Sequence, residues 1–396
     1  MIVTGVIAEF NPLHKGHALL LKKVKEAGAD RIAVVMSGNF VQRGETAILS
    51  KWARTKQALL CGADLVVELP VPWAVSGAEK FALGGISLLD AVGADRIAFG
   101  SECGSIDLLR KAQQALSSPL LHEAIHDELA AGSTFAAARQ TAVRQLFGEK
   151  TAQLLGCPNN ILAIEYLKAM ERTHSHMVPF TVQREGAAHD SKTPGENRTA
   201  SSAQIRRMIQ SNADCSEFLP SAAWTVLQSE REAGRAPASL VWLERGILAK
   251  LRTLSKDKLS RLPDISEGLE NRVYSAIQRA DSLGELYRMI KTKRYTLARI
   301  RRIVLSAFLG IDASCREGDP PYLRILGIRK GGADILKRAK ISGNLPILSR
   351  KADCSRLDSR AAQIIKLENT ASDLFALCTP RAAPCGLDAS TGVIVL

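Results

Sequence analysis

Four short apolar runs, at residues 3–8, 31–36, 64–69 and 96–99, divide the first hundred residues, and stretches of helical spacing fill the gaps between them. Each run is too short for a helix and apolar on both faces, the pattern of strands in a parallel sheet covered on both sides. Residues 17–27, 51–61 and 78–92 are expected as the crossover helices. Such crossovers are right-handed, and ligands then bind at the carboxyl ends of the strands where the strand order reverses. Residues 104–172 read as helical, broken near Pro119, Gly132 and Gly156. Asn159 or Asn160 is placed to cap the helix that runs to Met170. A fifth strand is expected over 177–183, ending at Arg184. The expected class is α/β: a Rossmann-like parallel-sheet unit over residues 1–215, then a mostly α-helical region over 216–396.

The first run ends in Glu9-Phe10-Asn11-Pro12-Leu13-His14-Lys15-Gly16-His17. Pro12 stops the strand, and Gly16 lets the backbone approach a ligand where a Cβ would clash. The helix that follows opens with unpaired N–H groups and the positive end of its dipole, a seat for phosphate. Two imidazoles three residues apart, His14 and His17, can then donate to phosphoryl oxygens as negative charge builds. A merely structural histidine pair would not need that order of strand, Pro, Gly and helix. A second segment, Thr199-Ala200-Ser201-Ser202-Ala203-Gln204-Ile205-Arg206, sets serine hydroxyls at a helix start with Arg206 one turn in. That arrangement holds β and γ phosphates and neutralises pyrophosphate, although an ordinary N-cap with a solvated Arg explains the segment alone.

Gly100 after the fourth run and Asn160 fit an adenine or ribose neighbour, or equally a plain turn and a cap. Ser37, Asn39, Gln42 and Arg43 follow the second run on the same edge and suit an acyl substrate or a nucleic-acid end, Arg43 by bidentate pairing with a carboxylate, with a surface salt bridge as its plainer alternative. Lys51 and Arg54 read as a solvated helix face. Residues 185–202, rich in Gly, Asp, Ser, Lys, Thr and Pro, read as a mobile loop of lid length.

The net charge of +13 is unevenly placed. Residues 1–240 carry 25 Lys and Arg against 24 Asp and Glu; residues 241–350 carry 23 against 11. Charge confined to one block points to a phosphate backbone as its partner, with a solvated helical surface as the plainer alternative. The densest run is Lys291, Lys293, Arg294, Arg299, Arg301 and Arg302, with Tyr295 as a candidate for base stacking; Arg329, Lys330, Lys337, Arg338 and Lys340 form a second. The 8 cysteines show no Cys-x-x-Cys spacing and read as scattered thiols, so no structural zinc is implied. With no membrane-length apolar run and no signal peptide, the chain is expected in the cytoplasm.

The motif words resemble the bacterial tRNA(Met) cytidine acetate ligase family, within the nucleotidyltransferases that carry His-x-Gly-His. They are residues 8–17, Met36-Ser37-Gly38-Asn39-Phe40-Val41-Gln42-Arg43-Gly44-Glu45, residues 62–70, Phe99-Gly100-Ser101-Glu102, residues 158–166 and Thr292-Lys293-Arg294-Tyr295-Thr296. The resemblance implies that acetate attacks the α-phosphate of ATP, giving acetyl-adenylate and pyrophosphate. The wobble cytidine of elongator tRNA(Met) then accepts the acetyl group as N4-acetylcytidine. It further implies His14 and His17 as the catalytic pair and Mg2+ as helper. ATP would be held by Ile7, Ala8, Glu9, Phe10, Asn11, Pro12, Leu13, Lys15, Gly16, Ala18, Leu19, Leu20, Gly100, Asn160, Arg184, Ser201, Ser202 and Arg206. Two rivals remain at this level. A small-molecule nucleotidyltransferase explains both phosphate motifs but leaves the basic block idle, and an RNA-binding factor with a regulatory nucleotide site explains the charge but not both histidines.

Overall fold

The computed structural model describes residues 1–184, 200–266, 268–343 and 345–396. Its strands, in chain order, are β1 (Val3–Ala8), β2 (Arg31–Ser37), β3 (Phe40–Val41), β4 (Glu45–Thr46), β5 (Leu65–Leu69), β6 (Arg96–Ser101), β7 (Val178–Gln183), β8 (Leu323–Ile328), β9 (Ile347–Leu348) and β10 (Ile394–Val395). Five of them pair in parallel in the order β5-β2-β1-β6-β7. The order reverses between β1 and β6, so the crevice beyond their carboxyl ends is where such a sheet receives a ligand.

Alternation along the strands explains why both faces are covered. Val3, Ile7, Ala33, Val35, Leu65, Val67, Ile97 and Phe99 point to one side, against helices Ala78–Ala91 and Pro158–Arg172. Val6, Ile32, Val34, Met36, Val66 and Ala98 point to the other, against Leu21 and Val24 of helix Lys15–Glu26 and Ala58 and Leu59 of helix Lys51–Leu60. Helix Ala78–Ala91 packs so close that a Cβ on Gly85 would lie 2.5 Å from Ile7 Cδ1.

The residues after 216 do not all stand apart from this sheet. Helices between Ser221 and Leu309 surround a second core, including Ile247, Leu251, Val273, Ile277, Leu286, Ile300 and Val304, which Phe40, Val71 and Phe375 join from the sheet side. The chain then returns. β8 pairs antiparallel with β5, and β9 and β10 flank β8, extending the sheet at its β5 edge.

That return overturns the solvated reading of Lys51 and Arg54, both of which are 0% exposed. Lys51 Nζ lies 2.7 Å from Glu68 and 2.8 Å from Asp388, while Arg324 on β8 pairs with the same two carboxylates. Burial and the neighbouring Glu68 push the pKa of Glu368 well above the usual carboxyl range. Lys51 also lies 3.9 Å from Glu368, so the cluster gathers two cations and three carboxyl groups. Arg54 donates to the carbonyls of Leu49, Glu9, Ser37 and Gly38, tying the end of β1 to the end of β2. Asn160 does not cap its helix either. The cap position is Cys157, and the Glu102 carboxylate accepts from the backbone N–H groups of Asn159 and Asn160. Of the loop expected over 185–202, residues 185–199 lie outside those described.

Candidate active site

β1 ends at Ala8, Phe10 takes a left-handed turn (φ 45°), and His14 stands at the N-cap of helix Lys15–Glu26. The His14 Nδ1 accepts the Gly16 N–H at 3.1 Å, and the His17 Nδ1 accepts the His14 N–H at 3.3 Å. Each imidazole thus caps the turn with its Nδ1, which puts the proton of each neutral ring on Nε2. The rings stack with centroids 3.8 Å apart, and His14 Nε2 reaches Ser202 Oγ at 2.9 Å. Ser202 opens helix Ser202–Gln210, whose N-cap Ser201 accepts from Gln204 N–H. The two sequence segments, nearly two hundred residues apart, therefore meet through one hydrogen bond.

Burial pushes the pKa of His14 down to about 3, helped by the Arg184 and Arg206 guanidinium groups. Burial, then His14 and Arg184, hold that of His17 well below its ordinary value. At neutral pH both rings are uncharged Nε2–H donors. They can act on phosphoryl oxygens, His17 directly and His14 through Ser202, but have no positive charge to contribute. The cations are Arg184 and Arg206 instead, and Arg206 is anchored on the Asn11 carbonyl at 3.0 Å.

A cleft of about 350 Å³ opens here, within the size range of small-molecule sites. Ile7, Ala8, Glu9, Phe10, Asn11, His17, Leu20, Gly100, Arg184, Ser201, Ser202 and Arg206 line it. Gly100 fits the side chain of Arg184, since a Cβ there would lie 3.2 Å from Arg184 Cγ. His14 sits behind the wall, 4% exposed, and reaches the cleft through Ser202. Pro12, Leu13, Lys15, Gly16, Ala18, Leu19 and Asn160 are not on the lining. Leu13 belongs to the core, and Asn160 Oδ1 accepts the N–H groups of Glu102 and Cys103, so that it shapes the loop after β6. Gly16 acts on the His14 ring, 3.0 Å from where its Cβ would be.

Gln42 and Arg43 also line the cleft, whereas Ser37 and Asn39 are buried away from it, Asn39 holding Lys51 N–H and Ser372 Oγ. Sequence reasoning missed the apolar wall of Ala78, Phe81, Ile161, Leu162 and Tyr166. These residues look like ordinary helix core in one dimension. Among the described residues no group of three or more His, Cys, Asp or Glu is placed to hold a metal.

Part of the basic block is engaged within the protein. Arg301 pairs with Glu45 and stacks over Tyr287, Arg302 pairs with Asp264 at 2.9 Å, and Arg338 pairs with Asp95 at 2.6 Å. Tyr295, the expected stacking platform, is buried with Arg299 over its ring. Lys291, Lys293, Arg294, Arg329, Lys330, Lys337 and Lys340 are exposed.

The sequence profile described as HIGH Nucleotidyl Transferase matches residues 1–387. A tRNA(Met) cytidine acetate ligase of Thermoanaerobacter sp. (strain X514) is 38% identical over 98% of both chains, and one of Clostridium perfringens (strain ATCC 13124) is 36% identical over 96% of both. The crystal structure of Thermotoga maritima TmcAL without ligand superposes over 100% of both chains, with a TM-score of 0.94 at 29% identity. That of the same protein bound with alpha-thio ATP gives 0.92 at 30%, again over 100% of both.

Proposed function

The chain belongs to the HIGH nucleotidyl transferases and, among them, to the tRNA(Met) cytidine acetate ligases, and from that premise we propose that it activates acetate with ATP and acetylates a tRNA cytidine. The observation that carries the reading is the His14–Ser202 contact at the strand-order reversal, which joins two phosphate-binding helix starts around one cleft.

In the first step an acetate oxygen attacks the α-phosphorus, and the bond to the pyrophosphate bridge breaks. The Nε2–H group of His17 stabilises charge on the phosphoryl oxygens, and that of His14 acts on them through Ser202 Oγ. Ser201, Ser202 and Arg206 hold the departing pyrophosphate, and Gly100 with Arg184 borders the nucleoside. The protein supplies no nucleophile because acetate is one. With no described cluster of three or more metal-ligating side chains, Mg2+ would be held by the triphosphate itself and would supply neutralisation of phosphate charge. In the second step the N4 amine of the wobble cytidine of elongator tRNA(Met) takes the acetyl group. Residues 1–215 hold the nucleotide site, and the exposed cations after residue 216 hold tRNA phosphates. The cytoplasm, where tRNA is processed, is the proposed location; among the described residues no helix is long and apolar enough to cross a membrane.

The test is purified protein with ATP and radiolabelled acetate, with and without bulk tRNA. Label should appear in acetyl-adenylate without tRNA and in tRNA when it is added. Label transfer to a small phosphorylated acceptor in place of tRNA would favour the rival nucleotidyltransferase reading.

A further inference from the structure

The cleft contains a carboxylate oxygen that no described residue engages. Of the two carboxylates lining it, Glu102 is occupied by the N–H and side-chain amide of Asn159 and the N–H of Asn160, at 3.2, 2.7 and 2.8 Å. Glu9 gives only Oε1, to the Gln42 N–H at 2.8 Å; its Oε2 accepts nothing from the described residues. Acetate and the phosphates of ATP are anions, which an unengaged carboxylate oxygen repels. It needs a visiting hydrogen-bond donor. Gln42, whose N–H holds the other Glu9 oxygen, lines the same cleft, and its Nε2 is buried with no hydrogen-bond partner among the described residues. A buried amide N–H left unmatched costs about 1–3 kcal/mol, so this donor awaits an acceptor.

An acceptor beside a donor is the complement of one base edge. Cytosine presents its N4 amine, a donor, next to N3, an acceptor. Uracil presents the reverse and mismatches at both positions. Carboxylates accept from cytosine N4 in nucleic-acid recognition generally, and loop bases are read on this edge once unstacked.

We propose that Glu9 and Gln42 read the target cytosine in the transfer step, Glu9 accepting from N4 and Gln42 Nε2 donating to N3, with Glu9 the catalytic base. This rests on the ligase reading above. The N4 lone pair attacks the acetyl carbonyl carbon and the C–N bond forms. The bond from that carbon to the phosphate oxygen breaks, and AMP leaves with the electron pair. The N4 proton passes to the Glu9 carboxylate and from there to water. Glu9 stands five residues before His14 on the same turn, so the groups for the two half-reactions are built on one loop.

The experiment separates the half-reactions in the full-length protein. Adenylation is read as pyrophosphate release from ATP and acetate without tRNA. Transfer is read in a single turnover from preformed acetyl-adenylate to tRNA(Met) carrying C at the target position, and base discrimination as inhibition of that transfer by tRNA(Met) carrying U there, which has no amine to acetylate. In Glu9→Gln the amide oxygen still accepts the Gln42 N–H. Its transfer rate should fall about 10²–10⁴-fold more than its adenylation rate, the usual worth of a general base. Gln42→Leu should lose about tenfold more in transfer than in adenylation and should let the U-bearing tRNA compete better against the C-bearing one. Should Glu9→Gln fail to fold, Gln42→Leu carries the same comparison. Equal losses in both half-reactions, or a raised KM for acetate in Gln42→Leu without tRNA, would show that the pair serves acetate or the fold and overturn the proposal. A wild-type protein that forms no acetyl-adenylate would instead sink the ligase reading.

Discussion

Replacing Gly16 with Ala should separate stability from catalysis. Gly16 is in the first turn of helix Lys15–Glu26, where Ala is favoured over Gly by up to about 1 kcal/mol. Against that stands the added methyl, 3.0 Å from His14 Cε1 and 3.1 Å from Nδ1, which pushes the ring aside by a few tenths of an ångström. The bond from Gly16 N–H to His14 Nδ1, a cap worth about 0.5–2 kcal/mol, is then stretched or broken. The two effects nearly cancel, so the urea midpoint should correspond to a change within about 1 kcal/mol of zero. Catalysis has no such compensation. His14 Nε2 is positioned 2.9 Å from Ser202 Oγ and its ring stacks on His17, so a displaced ring misplaces both phosphate donors. Loss of one such donor costs about 10²–10³ in rate. Acetyl-adenylate formation should fall into that range while stability barely moves. A Gly16→Ala protein with wild-type adenylation would refute the reasoning, because the ring would then not need its place.

Gly44 has φ 73° and meets the backbone of Arg301 and Arg302, 2.5 Å from where its Cβ would be. Gly44→Ala should therefore destabilise by about 2–4 kcal/mol, from the left-handed conformation plus overpacking, and a urea midpoint unchanged within error would contradict this. Lys51→Met removes a buried cation from between Glu68 and Asp388, with an expected loss of about 3–5 kcal/mol by chemical denaturation; a neutral effect would mean the carboxylates simply take up protons. Neutralising Lys291 and Lys293 together should flatten the salt dependence of tRNA binding by about 0.7–0.9 in slope for each phosphate no longer neutralised, and an unchanged slope would place the RNA elsewhere. Arg301 and Arg302 are left out of that set because their charges are engaged with Glu45 and Asp264. The histidines also predict a pH dependence. With both pKa values depressed in the fold, the unfolded chain binds protons below pH 6.5 that the native state does not. Stability is therefore full above about 6.5 and declines as the pH falls toward 3, by up to about 1.4 kcal/mol per pH unit for each histidine. Urea midpoints of His14→Asn between pH 7 and 4.5 should fall less steeply than those of the wild type, and parallel curves would exclude His14 as a source.

The order of elements around His14 was legible because its causes are local. Apolar runs of strand length, Pro12, Gly16 and a helix start each leave a mark within a few residues, so β1, β2, β5 and β6 and the phosphate-facing turn follow from the chain itself. The serine segment before Arg206 was legible for the same reason. What needed the tertiary structure was everything decided by the return of the chain. The run at Leu323–Ile328 gives no sign that it will lie antiparallel on β5, and without it and Asp388 the helix carrying Lys51 and Arg54 looks like any exposed face. A fragment ending near residue 220 would lack β8 and so expose the β5 edge. Charge misled in the same way: a count over residues 241–350 sums cations whatever their partners, and only distance shows that Arg301, Arg302 and Arg338 are already paired within the protein. Gln42 could be named from sequence as a polar residue on the right edge. That its side-chain amide nitrogen lies buried and unmatched while its backbone N–H holds Glu9 depends on β1 and the β3–β4 hairpin meeting, a long-range contact that no local pattern encodes.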